Sequence, residues 1–279
     1  MPQFQNDLAA FGRHAPGGHV ARLLAATRRC APDWLGKRAA FVLRDIAVRA
    51  LRGRPLDVEA LGARMRLYPY NNVCEKRILF TPQFFDPDER KLLATHLSGD
   101  FIFIDVGANI GGYTLFAAAL AGPRARILAI EPQPEIYERL VYNIRQNGFA
   151  QVKAVECALA DKDGDVTLFI DPDNRGGTSM RIVAPEGRGG QLRVRARALA
   201  ALVAEEGFGR IDAIKLDVEG AEDLILEPFF AAAPQAVWPK LLLIENGGEA
   251  GESALQKMLA ARGYAITLRT GNKFACERG

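Results

Sequence analysis

Phe101-Ile-Phe-Ile-Asp105-Val-Gly107-Ala-Asn109-Ile-Gly111-Gly-Tyr-Thr114 is the stretch on which the fold turns. Four apolar residues end in Asp105, small residues crowd the turn, and an apolar run from Leu115 to Leu120 follows. That order reads as a buried strand, a tight turn and a helix start, the place where open α/β sheets hold nucleotide-like ligands. An acid at the strand end would repel a pyrophosphate; it suits a ligand with an amino group or a positive charge. The dinucleotide fingerprint GxGxxG would need glycine at 107, 109 and 112, and position 109 is asparagine.

Working outward, strand and helix alternate: strand 101–105, helix 112–121, strand 126–131, helix 134–146 and strand 152–157. A turn at 161–165, a strand at 166–170 and a loop at 174–179 interrupt the series. It resumes with strand 211–217, helix 221–230, strand 241–245 and helix 252–262, and closes in a hairpin of 264–268 and 273–276. Repeated βαβ units predict a mostly parallel sheet covered on both faces. Ahead of them, Leu35, Ala39, Val42, Ile46 and Ala50 recur at helical spacing, with Lys37, Arg38, Arg44, Arg49 and Arg52 on the other faces. Residues 1–18 read as loose, 64–68 as a strand, 69–72 as a turn, and Asp86-Pro-Asp-Glu89 as a helix start.

At 279 residues the chain can hold one large α/β domain with an extension. Its net charge of +3 hides an asymmetry: residues 1–66 carry 12 Lys/Arg against 5 Asp/Glu. This basic, mainly helical extension (1–66), ahead of a domain at 67–279, points to an acidic partner or an anionic membrane surface, or else to an ordinary solvated helix face. Four scattered cysteines without a CxxC pair fit a reducing compartment. The first residues lack the apolar core of a signal peptide, and no apolar run approaches the roughly 20 residues of a membrane span. The expectation is a soluble, cytoplasmic protein.

The chemistry lies in strand-end acids. Ile127-Leu-Ala-Ile-Glu131-Pro132 puts a carboxylate where the two ribose hydroxyls of an adenosine can donate to it, with Pro132 stopping the strand. Ile214-Lys-Leu-Asp217-Val-Glu219-Gly-Ala-Glu222 gathers three acids at another strand end, and Leu241-Leu-Leu-Ile-Glu245 adds a fourth. The helix dipole accounts for Glu219 and Glu222 but not for Asp217.

Together, DVGANIGGYT at 105–114, AIEPQP at 129–134, KLDVEGAE at 215–222 and Glu245 resemble the FkbM family of S-adenosylmethionine-dependent methyltransferases, over about residues 76–279. The closing hairpin is also a feature of class I methyltransferases. The resemblance implies a class I Rossmann-like fold, mostly parallel with an antiparallel C-terminal hairpin strand. It also implies S-adenosylmethionine as methyl donor and O-methylation of a sugar, glycolipid or natural-product hydroxyl. It places Asp105, Gly107, Asn109 and Gly111 at the methionine end, with Thr114 and Pro132 among the cofactor-binding positions, Glu131 at the ribose and Ala158 near the adenine. The loop 174–179 would lie beside the active site. Residues 194–202 lack the Thr-Leu-Asp usual in this family.

All three histidines precede residue 101, so the expected bases are carboxylates: Asp217 and Glu245 first, then Glu219 and Glu222. Such a cluster, Asp217 and Glu245 above all, could also hold a divalent cation such as magnesium. Three rival readings are a nicotinamide oxidoreductase, a nucleic-acid methyltransferase and a non-catalytic S-adenosylmethionine-binding module. The missing GxGxxG counts against the first. The absence of an aromatic after Asp217, needed to stack a flipped base, counts against the second.

Overall fold

Alternation along the strand at 102–106 organises the core. Phe103 joins Leu93, Ile110 and Leu115 on one face; Ile102 and Ile104 join Ile214, Leu226 and Phe229 on the other. A strand with large apolar side chains on both faces must lie between two helical layers. The computed structural model describes residues 7–170, 178–179, 190–218, 220–245 and 254–279.

A helical hairpin, α1 (Gly18–Arg28) and α2 (Trp34–Leu51), comes first, then a β-hairpin, β1 (Leu56–Ala60) and β2 (Ala63–Leu67), then α3 (Val73–Phe80) and α4 (Pro87–His96). The alternating part begins β3 (Ile102–Val106), α5 (Gly112–Leu120), β4 (Arg126–Ile130), α6 (Pro134–Arg145) and β5 (Val152–Val155). β6 (Ala158–Ala160), β7 (Gly164–Ile170), β8 (Thr178–Ser179), β9 (Gly190–Ala198) and α7 (Leu199–Glu205) follow. The chain ends with β10 (Ala213–Leu216), α8 (Glu222–Ala232), β11 (Leu241–Glu245), α9 (Ala254–Ala260), β12 (Tyr264–Thr270) and β13 (Lys273–Arg278).

Seven strands form the main sheet in the order β12-β13-β11-β10-β3-β4-β5. Neighbours from β11 to β5 are parallel, and β13 runs antiparallel to both β11 and β12. This is the arrangement that the resemblance implies, mostly parallel with an antiparallel C-terminal hairpin. Chain order reverses between β3 and β10, so a crevice opens at their carboxyl ends. A second sheet, β6-β9-β7-β8, flanks it. β9 occupies the stretch that lacks Thr-Leu-Asp. α7 after it has no side-chain cap of its own; Asp163 instead accepts the Ala198 N–H at 2.8 Å and pairs with Arg197 at 2.9 Å.

The N-terminal elements share one apolar cluster with the sheet: Val20, Leu24, Ala47, Leu51 and Leu56 pack in the same body as Phe101 and Phe103. A buried pair fastens the segment before α1, which is therefore not loose over its described part. Arg66 bonds Asp57 through Nε at 2.7 Å, and its other nitrogens donate to the carbonyls of Asp7, Ala9 and Ala10. Asp57 also accepts the Gly12 and His14 N–H groups. Removing one member of such a buried pair costs about 3–5 kcal/mol.

α2 exists as expected but with its faces exchanged. The packed side is Ala40, Ala47 and Leu51, whereas Leu35, Val42 and Ile46 of the predicted apolar stripe point to solvent. Small alanines allow close approach of α1, and that contact outweighs burial of the larger side chains.

Candidate functional site

At the carboxyl end of β3, Asp105 is buried and accepts a 2.6 Å hydrogen bond from Thr114 Oγ1 on α5. That bond uses Oδ2. Oδ1 is buried with no partner among the described residues. Burial raises the Asp105 pKa, a push only partly opposed by the Lys215 ammonium. The turn after it is shaped by contact: a Cβ on Gly107, whose φ is +72°, would lie 2.0 Å from the Asp217 carbonyl oxygen. Only glycine lets the β3 and β10 loops meet here. Gly107 and Ala108 both donate to the Ile130 carbonyl, tying the turn to β4. Asn109, in the left-handed region, accepts from Asn72 Nδ2 at 2.7 Å.

Glu131 closes this end. Its two oxygens accept the backbone N–H groups of Gln133 and Asn109, each at 2.9 Å. Burial dominates those bonds and pushes its pKa up to about 7. Beyond it, Pro132, Ala158, Leu159 and Leu168 form an apolar shelf. The cleft encloses about 280 Å³, close to the ~300 Å³ at which small-molecule sites begin.

The opposite end is built from ion pairs. Lys215, on β10 directly beside Asp105, points Nζ at Asp217 Oδ2 (3.0 Å) and lies 5.0 Å from the Tyr113 ring centre. Burial works against its charge, but Asp217 and Asp105 outweigh burial and its pKa stands above the ordinary lysine value. Glu245 is held by Lys273 at 2.9 Å and by Asn272 at 3.1 Å, both from the β12–β13 hairpin. Lys273 also reaches Asp86 at 2.7 Å, and Asp86 accepts from Arg77 at 2.9 Å. Burial would raise the Asp86 pKa, yet Lys273 and Arg77 hold it below the usual carboxylate range. Asp86 itself has a φ of +42°, a conformation a non-glycine residue keeps only when its surroundings enforce it.

Of the expected site residues, Asp105, Gly107, Asn109, Glu131, Pro132, Ala158, Asp217 and Glu245 line this one cleft. Gly111 and Thr114 stand behind its wall: Gly111 turns the chain into α5 with φ +96°, and Thr114 orients Asp105. Glu222 is buried outside the lining and bends back to accept the Gly220 N–H at its own helix start. That is the dipole-and-cap role. Glu219 and residues 174–177 of the expected loop 174–179 lie outside the described residues, and Thr178–Ser179 form β8. The magnesium expectation gains no support: the described residues gather no group of three or more His, Cys, Asp or Glu suited to a metal, and Asp217 and Glu245 each face a lysine instead. None of the histidines lines the cleft.

Asn72, Arg77, Asp86, Tyr113 and Lys273 line the cleft without having been singled out. For Asp86 the signal was an acid directly before Pro87, and for Lys273 a cation beside the hairpin turn. Neither local pattern says which residue it will meet.

A family model described as "Methyltransferase FkbM domain" matches residues 105–265. Methyltransferase sdnD of Sordaria araneosa is 30% identical over 220 residues, covering 68% of this chain and 80% of that protein. The 31-O-demethyl-FK506 methyltransferase FkbM of Streptomyces tacrolimicus is 29% identical, covering 61% of this chain and 74% of its own length. The hexuronic acid methyltransferase AglP of Haloferax volcanii is 27% identical, covering 61% and 66% respectively.

Proposed function

The chain belongs to the FkbM-domain family of methyltransferases, and from that premise we propose that it methylates a hydroxyl of a sugar, glycolipid or natural-product acceptor, with S-adenosylmethionine as donor. The observation that carries the reading is Asp105 Oδ1, a buried carboxylate oxygen with no partner among the described residues, on a residue that lines the cleft. An acceptor left unmade in this way costs about 1–3 kcal/mol. An ammonium donor would satisfy it, and the amino acid end of S-adenosylmethionine is one. Glu131 accepts one backbone N–H at each oxygen and retains lone pairs for ribose hydroxyls. The shelf of Ala158, Leu159 and Leu168 suits a flat ring. The residues present therefore fit the cofactor, which when bound supplies an electrophilic methyl group on its sulfonium.

At the other end, Lys215 holds Asp217 Oδ2, fixing the carboxylate and directing an acceptor hydroxyl to Oδ1. Asp217 takes the hydroxyl proton as the oxygen attacks. Glu245, steadied by Lys273 and Asn272, orients the acceptor through a neighbouring hydroxyl. Placement of this kind contributes up to about 7–11 kcal/mol, and proton removal roughly 10²–10⁴-fold in rate. A sugar acceptor is supported by the relative named for a hexuronic acid.

Titration with S-adenosylhomocysteine and with NAD, followed by methyl-transfer assays over a hydroxylated acceptor panel, tests the proposal. Binding of the first compound alone and transfer to a hydroxyl are expected. If Asp217→Asn leaves turnover intact, the base assignment is wrong.

A further inference from the structure

Along α2, Leu35, Val42 and Ile46 are 68%, 57% and 50% exposed, and with Ala39 they form one continuous solvent-facing stripe. Trp34, 68% exposed, stands at the helix start. Helical periodicity puts Arg38 and Arg49, both exposed, on a single line bordering the stripe, three turns apart. Lys37 and Arg52 are exposed as well. The only acid within the helix, Asp45, is paired with Arg44 at 3.5 Å. The opposite face buries Ala40 and Ala47, and Ala47 shares a cluster with Val20 and Leu24 of α1, so Leu35, Val42 and Ile46 take no part in the core.

We propose that this face of α2 docks on an anionic lipid surface. Apolar side chains flanked by arginine, with a tryptophan at one end, match what an interfacial helix presents to headgroups and acyl chains. Charge complementarity selects this occupant over two others. A second copy meeting this face about a twofold axis midway between Arg38 and Arg49 would set the two arginines against each other. A nucleic acid would engage the arginines but leave Leu35, Val42 and Ile46 against phosphates with nothing apolar to bury them.

The hairpin is fixed to the cleft wall. Arg28 of α1 donates from Nε and Nη2 to the Leu79 carbonyl of α3 at 3.0 and 2.9 Å, and α3 contributes Val73, Cys74 and Arg77 to the cleft. Lys37 of α2 lies 5.8 Å from the Phe84 ring centre, next to cleft-lining Phe85. A docked α2 therefore holds the α3 side of the cleft near the lipid.

The test is co-sedimentation of the full chain with phosphatidylcholine vesicles, with and without phosphatidylglycerol. Binding at least tenfold tighter with phosphatidylglycerol is expected, together with a blue shift in Trp34 emission. The triple variant Leu35→Ser, Val42→Ser, Ile46→Ser should lose at least tenfold in vesicle affinity. So should Arg38→Glu with Arg49→Glu, at roughly fivefold per charge removed. All five positions are exposed, so melting temperature and S-adenosylhomocysteine affinity should be unchanged, which separates this result from failure of the methyltransferase reading. Absence of binding to phosphatidylglycerol vesicles would overturn the proposal. So would binding that the triple variant retains, or a solution dimer that the triple variant disperses.

Discussion

At the β3–β4 end of the cleft, Asp105 and Glu131 are held by a hydroxyl and two backbone N–H groups, whereas at the β10–β11 end Asp217 and Glu245 are each held by a lysine. Neutral donors leave the first pair electrostatically hungry: burial raises both pKa values, and one oxygen has no partner. Cations on the other side fix carboxylates in place at the strand ends. The first arrangement suits recognition of a ligand that brings its own positive charge and hydroxyl donors. The second suits holding a base rigid while a proton moves.

The sharpest way to break this contrast is at the acceptor end. Asp217→Asn should lower kcat by roughly 10²–10⁴-fold while S-adenosylhomocysteine affinity, measured by calorimetry, changes less than threefold. A parallel loss in affinity would mean that the two ends are not separate. Gly107→Ala should act on both ends at once, because its methyl group would fall on the Asp217 carbonyl at a φ of +72°. A loss of several kcal/mol in thermal or urea unfolding is expected, at the upper end for a single substitution, with cofactor affinity falling alongside. An unchanged melting temperature would show that the two loops are not so tightly apposed.

Acidity offers a subtler probe. The Glu131 pKa of about 7 lies above its ordinary value of 4.5, so the folded protein binds the proton more tightly than the unfolded chain. That contribution to stability is complete below pH 4.5 and is lost as pH rises through about 7. Ribose hydroxyls need the ionised form, so cofactor affinity should move the other way, weakening by up to tenfold per pH unit below about 7. Calorimetry with S-adenosylhomocysteine at pH 6 and pH 8 checks the sign; a flat profile would remove Glu131 from the ribose. The smallest effect belongs to Lys273→Met. With Arg77 still pairing Asp86, the acceptor KM should rise only about fivefold, near the 1 kcal/mol of a partly exposed pair, and donor binding should be unaffected.

The same contrast explains what could be read from the chain. Residues 101–114 and 127–132 were legible because a strand, its turn and its acid are contiguous, and their hydrogen bonds are mostly local. Arg77, Asp86 and Lys273 were not, since Asp86 and Lys273 meet across 187 positions and no periodic pattern links them. β9 carried a visible period of two, with Leu192, Val194, Ala196 and Ala198 alternating with Arg193, Arg195 and Arg197. Its small and medium apolar side chains and exposed arginines make that period weak beside the strand-end acids. For α2 the periodicity was right, but hydrophobicity alone could not show that Ala40 and Ala47 would be preferred for close packing. The joint core of the N-terminal elements also shows that removing residues 1–60 would strip Leu51 and Leu56 from the sheet's own cluster, so point substitutions are the informative variants.

Titration of S-adenosylhomocysteine into the wild-type chain and into Asp105→Asn reads out what the buried carboxylate contributes to donor binding. Charge-assisted hydrogen bonds of this kind contribute about 1.5–3 kcal/mol. An affinity loss of roughly ten- to a hundredfold is therefore expected, with the melting temperature of the variant equal to the wild-type value or higher, since a buried charge has been removed. Equal affinity for the two proteins would contradict it.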